Sequence, residues 1–241
     1  MNTETTLDQL KKLKLQGMTR SYEALLSLPL HQQPEAHELI GQLAQSEIDA
    51  RQQRRTDLFL KLGKLRYAAT LDQIKCSPER NLSKEQISRL ADCSFINKAE
   101  NILISGATGC GKSFLACAIG YQACLMGYKT MYLNMNRFIE KITMAKLDGT
   151  WIKALNHMEK IRLLIIDDFG LQPLTSDVRL ALLQILEDRY DKHSILIASQ
   201  LPVAKWYEYL QDATLADAIL DRLTAHAHRL ELKGKSMRKN K

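Results

Sequence analysis

The sequence predicts an α/β protein in which a parallel sheet is flanked by helices and preceded by a small, all-helical N-terminal domain. The first observation is a change of pattern near Asn101, after which short apolar runs alternate with helical stretches. The runs lie at residues 102–105, 130–133, 163–166 and 195–198. Such alternation requires a parallel sheet covered by helices on both faces. The second observation is that residues 1–98 carry helical patterns throughout.

The front end supplies three helix signals in order. The spacing of Leu7, Leu10, Lys14 and Gly17 predicts a first helix, and Pro34 stands where a first-turn proline would begin a longer helix reaching about Tyr67. Residues 83–86 form a capping box ahead of another short helix. We therefore expect a helical domain over 1–70, a helical connector over 71–98 and an α/β domain over 99–241.

A glycine-rich turn follows the first apolar run. Its residues fit the phosphate-binding pattern G-x-x-x-x-G-K-[ST]: Gly106, Ala107, Thr108, Gly109, Cys110, Gly111, Lys112 and Ser113. It comes after a predicted strand and opens the helical stretch 114–126, which is the context that identifies a nucleotide loop. We expect the backbone N–H groups to surround phosphate oxygens, Lys112 to reach the β- and γ-phosphates, and the Ser113 hydroxyl to bind Mg²⁺.

Two adjacent carboxylates end the run at 163–166. Successive side chains of a strand point to opposite sides, so Asp167 and Asp168 are predicted to diverge. Ligand chemistry in parallel α/β sheets lies at the carboxyl ends of the strands. We assign Asp167 to the metal ion through water and Asp168 to polarising the attacking water.

Taken together, these motifs resemble one family. The loop, the segment 165–170, the segment 199–202, and the closing segments 221–223 and 234–238 resemble the IstB-like transposase-helper ATPases of bacterial insertion sequences, which are related to replicative helicase loaders. Residues 13–18 and 51–55 resemble that family's helical front end, so the resemblance covers essentially the whole chain. It implies a P-loop NTPase (AAA+) fold and an ATPase that uses ATP and Mg²⁺.

The resemblance also implies roles for four further side chains. Ser199 and Gln200 occupy the sensor position, where a polar group can orient the attacking water. Arg222 matches an arginine that this branch offers across a subunit interface to a neighbour's γ-phosphate, and Arg238 matches one that senses nucleotide within its own subunit. Arginine suits both roles because its rigid, permanently charged fork stabilises phosphate.

Composition limits the remaining classes. No apolar run is long enough to span a membrane, and the N-terminal residues lack the plan of a secretory signal, so we expect a cytoplasmic protein. Five cysteines, an odd number without a C-x-x-C pair, indicate reduced thiols rather than a disulfide or zinc framework.

The positive charge is concentrated. The formal net charge is +7, and residues 51–66 and 229–241 each carry six Lys or Arg against a single acidic residue. Either stretch could be a solvated surface or a footprint for nucleic-acid phosphates. The candidate DNA contacts in the first stretch are Arg51, Arg54, Arg55, Lys61, Lys64 and Arg66.

The function implied by the resemblance is ATP-dependent assembly on duplex DNA, as a ring or helical oligomer, in support of a cognate transposase. A helicase loader would share every motif. A small-molecule kinase using the same loop would need an acceptor site and an Arg-rich lid, neither of which the sequence clearly provides. A nucleotide-gated interaction module without turnover is a third class, which ATPase assays with and without DNA would distinguish.

Overall fold

A computed structural model describes residues 2–237, so Arg238 lies outside the described residues. The chain forms two compact units, Met1–Leu58 and Phe59–Lys241. The division falls inside a helix, at a different place from the boundary near residue 70 suggested by the sequence. Among the described residues no helix is both long and apolar enough to cross a membrane.

The N-terminal unit is helical. It contains α1 (Thr3–Lys12), α2 (Gln16–Leu26) and most of α3 (Ala36–Gly63), which continues past the division. The prediction of one helix through residues 7–17 is wrong, because the chain turns at Lys14, whose φ is 58°. Helix α3 begins two residues after Pro34 and ends at Gly63, before the expected Tyr67.

Helices α2 and α3 approach each other closely at Gly17. A Cβ atom there would lie 2.2 Å from the Ser46 carbonyl oxygen, so only glycine fits. The Glu47 carboxylate then reaches the start of α2 and accepts hydrogen bonds from the N–H groups of Gly17 and Met18, at 2.7 and 3.4 Å. A carboxylate at a helix N-terminus satisfies orphan donors and is favoured by the helix dipole.

The second unit is a five-stranded parallel sheet with strand order β2-β3-β4-β1-β5, flanked by helices, as predicted. The capping box at Ser83 is confirmed. Its elements are α4 (Lys84–Ala91), α5 (Ser94–Asn97), β1 (Asn101–Gly106), α6 (Lys112–Leu125), β2 (Thr130–Asn134), α7 (Met135–Leu147), α8 (Trp151–Glu159), β3 (Leu163–Phe169), α9 (Ser176–Arg189), β4 (Ser194–Ser199), α10 (Trp206–Leu210), α11 (Ala213–Thr224) and β5 (Ala227–Leu232).

Each face of the sheet has its own apolar core. Ile102 and Ile104 pack with α6 on one face, whereas Leu103 packs with residues of α7, α9 and α11 on the other. The central strands are therefore buried on both sides, as parallel strands usually are. The carboxyl edge of the sheet is where the loops after β1, β3 and β4 meet, and these loops carry the predicted site.

Strand β5 was not predicted. Residues 227–232 were interpreted as the start of a basic tail, but they pair in parallel with β1 over its full length. Leu230 and Leu232 are buried, while Arg229 and Glu231 between them are exposed. The end of β5 lies against the glycine-rich loop, because a Cβ on Gly106 would lie 2.2 Å from the Leu232 carbonyl oxygen.

Candidate functional site

The glycine-rich loop joins the end of β1 to the start of α6. Lys112 is the first residue of α6 and is only 7 % exposed. Its Nζ donates hydrogen bonds to the carbonyl oxygens of Gly106 and Ala107, at 2.8 and 2.9 Å. This places an ammonium group at the centre of the loop, beside the N-terminus of a 14-residue helix. Both features favour a bound phosphate.

Two segments that sequence reasoning missed also contact the loop. Arg80 Nη2 donates to the Cys110 carbonyl oxygen at 2.9 Å, and the Arg80 carbonyl accepts from the N–H of Lys233 at 3.0 Å. The N–H of Met237 donates to the Gly109 carbonyl oxygen at 3.0 Å. The chain after β5 is thus tied to the loop, and Arg238 directly follows Met237 in the sequence.

Asp167 is the fully buried carboxylate at the end of β3. Its Oδ2 accepts the Tyr132 hydroxyl at 2.6 Å, and its Oδ1 accepts the N–H of Asp168 at 2.9 Å. Burial, followed by the hydrogen bond to Asp167, raises the pKa of Tyr132, so this phenol stays a neutral donor. Both oxygens of Asp167 are therefore held in fixed directions.

Asp168 points elsewhere, as strand geometry predicts. The β3–β4 pairing shifts register between Ile166 and Phe169, and Asp168 adopts a φ of 59°. Backbone in this left-handed region is uncommon for residues other than glycine and clusters at functional sites. The Asp168 side chain is 29 % exposed, and its Oδ2 lies 3.6 Å from Arg66 Nη1.

The two residues at the predicted sensor position differ in their surroundings. Ser199 is fully buried; its hydroxyl donates to the Phe169 carbonyl oxygen at 2.6 Å and accepts the N–H of Leu201 at 3.0 Å. These bonds brace the ends of β3 and β4. Gln200 Oε1 accepts the Thr108 hydroxyl at 2.6 Å. Of the pair, Gln200 is the side chain that reaches the phosphate loop.

Arg222 lies at the other end of the sheet. Its backbone carbonyl accepts from Asn101, the first residue of β1, at 3.1 Å, whereas the phosphate loop follows the last residue of β1. The length of β1 separates these ends by roughly 16 Å. The guanidinium pairs with Glu187 at 2.5 Å and approaches Asp221 at 4.0 Å. Arg222 is therefore remote from the phosphate loop of its own subunit.

Arg189 is an alternative arginine near this end, but its surroundings assign it a structural role. It is 1 % exposed. Its guanidinium donates to the carbonyl oxygens of Met158, Ile161 and Ser194, at 2.7 to 2.8 Å. These bonds join α8, α9 and β4, so Arg189 cannot turn outwards without leaving buried carbonyls unsatisfied.

The basic stretch divides into groups with different partners. Arg51 and Arg54 both pair with Glu47, at 2.8 and 3.2 Å, so two cations share one carboxylate. Their side chains nevertheless remain 63 % and 43 % exposed. The α-helical repeat places both on the same side of α3 as Arg55 and Lys61, which are also exposed.

Lys64 is exposed just after the end of α3. Arg66 follows and lies beside Asp168, as described above. The structure therefore brings one member of the predicted DNA-binding set to the end of β3. No local pattern could have indicated this, because the two residues are far apart in the sequence.

The loop suits a magnesium ion that the nucleotide itself helps to bind. Among residues 2–237 no group of three or more His, Cys, Asp or Glu could hold a metal ion. Mg²⁺ needs few protein ligands, since it keeps several waters and takes oxygens from phosphates. The Ser113 hydroxyl, in the first turn of α6, is such a ligand. Asp167, whose two oxygens already accept hydrogen bonds, would reach the ion through water.

Comparison with known proteins decides the family. A model of the IstB-like ATP binding proteins matches residues 8–241. The chain belongs to this family. A Sinorhizobium fredii protein described as an insertion sequence ATP-binding protein is 37% identical over 240 residues, which are 100% of this chain and 98% of that protein. A Pseudomonas aeruginosa protein described as an ATP-binding protein of insertion sequence IS21 is 30% identical, over 95% of this chain and 86% of its own length.

Solved structures agree with the fold of this IstB-like protein. The structure titled DnaI has a TM-score of 0.59 at 18% identity, covering 69% of this chain and 92% of DnaI. The DnaC helicase loader has a TM-score of 0.56, also at 18% identity, covering 69% of this chain and 98% of DnaC. The IstB-like chain therefore has the AAA+ P-loop fold, and its family and loop make it an ATP-binding protein and an ATPase.

Proposed function

We propose that this IstB-like protein is an ATP-dependent DNA-binding ATPase that assembles on duplex DNA and assists a cognate transposase in DNA transposition. The observation that carries the proposal is the separation of Arg222 from its own phosphate loop, at opposite ends of β1. A second copy can supply the arginine that completes each ATP site, so nucleotide binding and assembly become one event. The insertion-sequence relatives support the role in transposition.

Within one subunit, the phosphate loop binds the nucleotide. Lys112 exchanges its two carbonyl partners for oxygens of the β- and γ-phosphates. Ser113 and, through water, Asp167 hold Mg²⁺, which when bound neutralises charge on those phosphates. Asp168 polarises the attacking water, and Gln200 orients it from the adjacent loop. Ser199 fixes the backbone from which Gln200 projects.

Two arginines report the state of the nucleotide. Arg222 leaves Glu187 and pairs with the γ-phosphate bound by a neighbouring subunit. Charge spreads over the transferred phosphoryl group in the transition state, where an arginine in this role contributes a rate factor of about 10³ or more. Arg238 contacts nucleotide in its own subunit, because the residue before it is bonded to the loop at Gly109.

The basic side of α3 contacts the DNA backbone. Arg55 and Lys61 provide exposed charge, and Lys64 extends it beyond the helix. Arg51 and Arg54 add a net charge of one after sharing Glu47. Contacts of this kind do not read sequence, so the choice of site would come from the transposase or from DNA shape.

A replicative helicase loader is the nearest rival. Its only support is likeness of fold to DnaI and DnaC at 18% identity, whereas the relatives that align over nearly the whole chain come from insertion sequences. The assembly is a ring or helical oligomer acting in the cytoplasm.

The proposal is tested by measuring steady ATP hydrolysis and DNA binding by the purified full chain. We expect turnover without an acceptor, stimulated by duplex DNA, and DNA binding that requires ATP. Lys112→Ala should lose ATP affinity and ATP-dependent DNA binding together. Imaging with ATP and duplex DNA should reveal a closed ring or a filament. Hydrolysis that ignores DNA, together with ATP-independent DNA binding, would overturn the proposal.

A further inference from the structure

Arg66 contacts the machinery of hydrolysis, although its place in the chain groups it with the basic stretch. Its guanidinium lies 3.6 Å from the carboxylate of Asp168 and 5.4 Å from the ring centre of Tyr67. The side chain is 42 % exposed. It is therefore held at the end of β3 by an ion pair and an aromatic face, and it can still exchange with solvent.

The same guanidinium is linked to Asp167 through one intermediate. It hydrogen-bonds the hydroxyl oxygen of Tyr132, whose hydrogen is donated to Asp167 Oδ2. Burial lowers the pKa of Arg66, but the bond to Tyr132 and the charge of Asp168 outweigh it, so the pKa is raised overall. Arg66 is thus a permanent cation connected to both carboxylates at the end of β3.

A cation in this position opposes the role proposed for Asp168. A carboxylate that polarises water acts through its negative charge and a free lone pair. A guanidinium at pairing distance offsets that charge and aligns N–H groups with the oxygens that would accept the water hydrogen. Asp168 can serve the water fully only when Arg66 moves away.

The chain places Arg66 where DNA could move it. Helix α3, which carries the exposed basic residues, ends at Gly63, and only Lys64 and Leu65 separate that end from Arg66. Lys64 has a φ of 49°, so the backbone turns directly between the helix and Arg66. A phosphate bound near Lys64 would compete with Asp168 for the same guanidinium.

We propose that Arg66 is a positioning residue that restrains Asp168 and slows hydrolysis until duplex DNA occupies the end of α3. The DNA clause rests on the function proposed above, whereas the restraint on Asp168 does not.

The test is the ATPase activity of Arg66→Gln in the full chain without DNA. We expect kcat to rise roughly two- to fivefold, which is what the pairing of a half-exposed ion pair allows. The KM for ATP should stay unchanged, because Arg66 does not contact the phosphate loop. Arg66→Lys keeps the charge but cannot contact Tyr132 and Asp168 together, so its gain should be smaller.

Three controls exclude other readings. Arg89→Gln removes an exposed arginine that pairs with Glu85 on α4, and it should leave kcat at the parent value. In Asp168→Asn the extra change Arg66→Gln should give no gain, since the restrained charge is gone. If Arg66→Gln does not fold, Arg66→Met keeps the stem over Tyr67 and replaces it in every comparison.

The outcomes separate the two proposals. A folded Arg66→Gln whose kcat equals or falls below that of the parent overturns the restraint. A gain in kcat with an undiminished stimulation by DNA overturns the DNA clause and leaves the restraint in place. If the parent is not stimulated by DNA, the proposed function fails, and the DNA-free comparison still decides the role of Arg66.

Discussion

Thr108 donates its hydroxyl hydrogen to Gln200 Oε1 over 2.6 Å, joining the phosphate loop to the segment that follows β4. Strands β1 and β4 are neighbours in the sheet, so their carboxyl ends present these two loops side by side. The bond fixes the Gln200 amide and leaves its NH₂ group to donate to a water or a phosphate oxygen. The position of the loop and the direction of this amide are therefore coupled.

Gln200→Ala is expected to bind ATP with nearly unchanged affinity and to lose kcat by about 10²-fold, the usual cost of removing one aligned transition-state donor. Thr108→Val is the matched control, since it removes the partner hydroxyl but keeps the amide. It should cost less than a tenth as much. Steady-state kinetics beside a nucleotide titration measures both. Equal losses in the two variants would assign the effect to loop structure instead of water orientation.

Arg222→Ala is expected to bind ATP and lose DNA-stimulated hydrolysis, by up to about 10³-fold. Mixed with Lys112→Ala, it should regain part of the activity, because Lys112→Ala subunits offer an intact Arg222 to an intact neighbouring loop. Glu187→Gln should shift activation to lower protein concentration, since it releases Arg222 from its resting partner. A co-assembled mixture that stays inactive would contradict an action across subunits.

Arg55→Gln with Lys61→Gln is expected to weaken DNA binding at all sequences and to lower the slope of log affinity against log salt by about two units. Fluorescence anisotropy over a salt series measures the slope. Arg51→Gln should lower it less, because Glu47 already neutralises part of that charge. Arg89→Gln is the control on the second unit. An unchanged slope in the double variant would assign this side of α3 to a protein partner.

Glu47→Gln is expected to destabilise the N-terminal helices by about 1 to 3 kcal/mol at neutral pH. Burial raises the pKa of Glu47, but the Arg51 pair and the bonds from Gly17 and Met18 outweigh this and lower it overall from 4.5. Its stabilisation is therefore complete above pH 4.5 and is lost as the pH falls through the lowered pKa.

Hydrogen exchange of residues 16–26 in the full chain reports this local stability. The parent should lose protection on acidification, while Glu47→Gln should be less protected at neutral pH and less sensitive to acid. Glu38→Gln, an exposed change on the same helix, is the control. Equal pH dependence in the parent and Glu47→Gln would show that another group controls the transition.

The sequence was sufficient wherever chemistry depends on consecutive residues. Loop 106–113 and the pair Asp167 and Asp168 follow apolar runs, so their place at the carboxyl edge of a parallel sheet could be predicted. Strand β5 could not, because its alternation of charged and buried residues resembles a polar tail until β1 is beside it. A side strand buries only part of each residue, and its composition reflects that.

Long-range pairs were beyond prediction for a different reason. Arg66 with Asp168, and Arg80 with the carbonyl of Cys110, join residues that only the completed fold brings together. Even within α3 the sequence counted positive charges without their partner, because nothing near Glu47 reveals that it turns towards Gly17. Charge counts along a helix state what is available, and the tertiary contacts decide what remains for a ligand.

The position of Arg222 at the far end of β1 makes any assembly built through it directional. Every subunit gives an arginine from one end and receives one at the other, so the contact is head-to-tail. A closed ring then has as many complete ATP sites as subunits, whereas an open filament always lacks one. The subunit at that end holds nucleotide without a neighbour's arginine and turns it over slowly. Growth and loss at the two ends would therefore follow different rates, which gives the filament a direction along DNA.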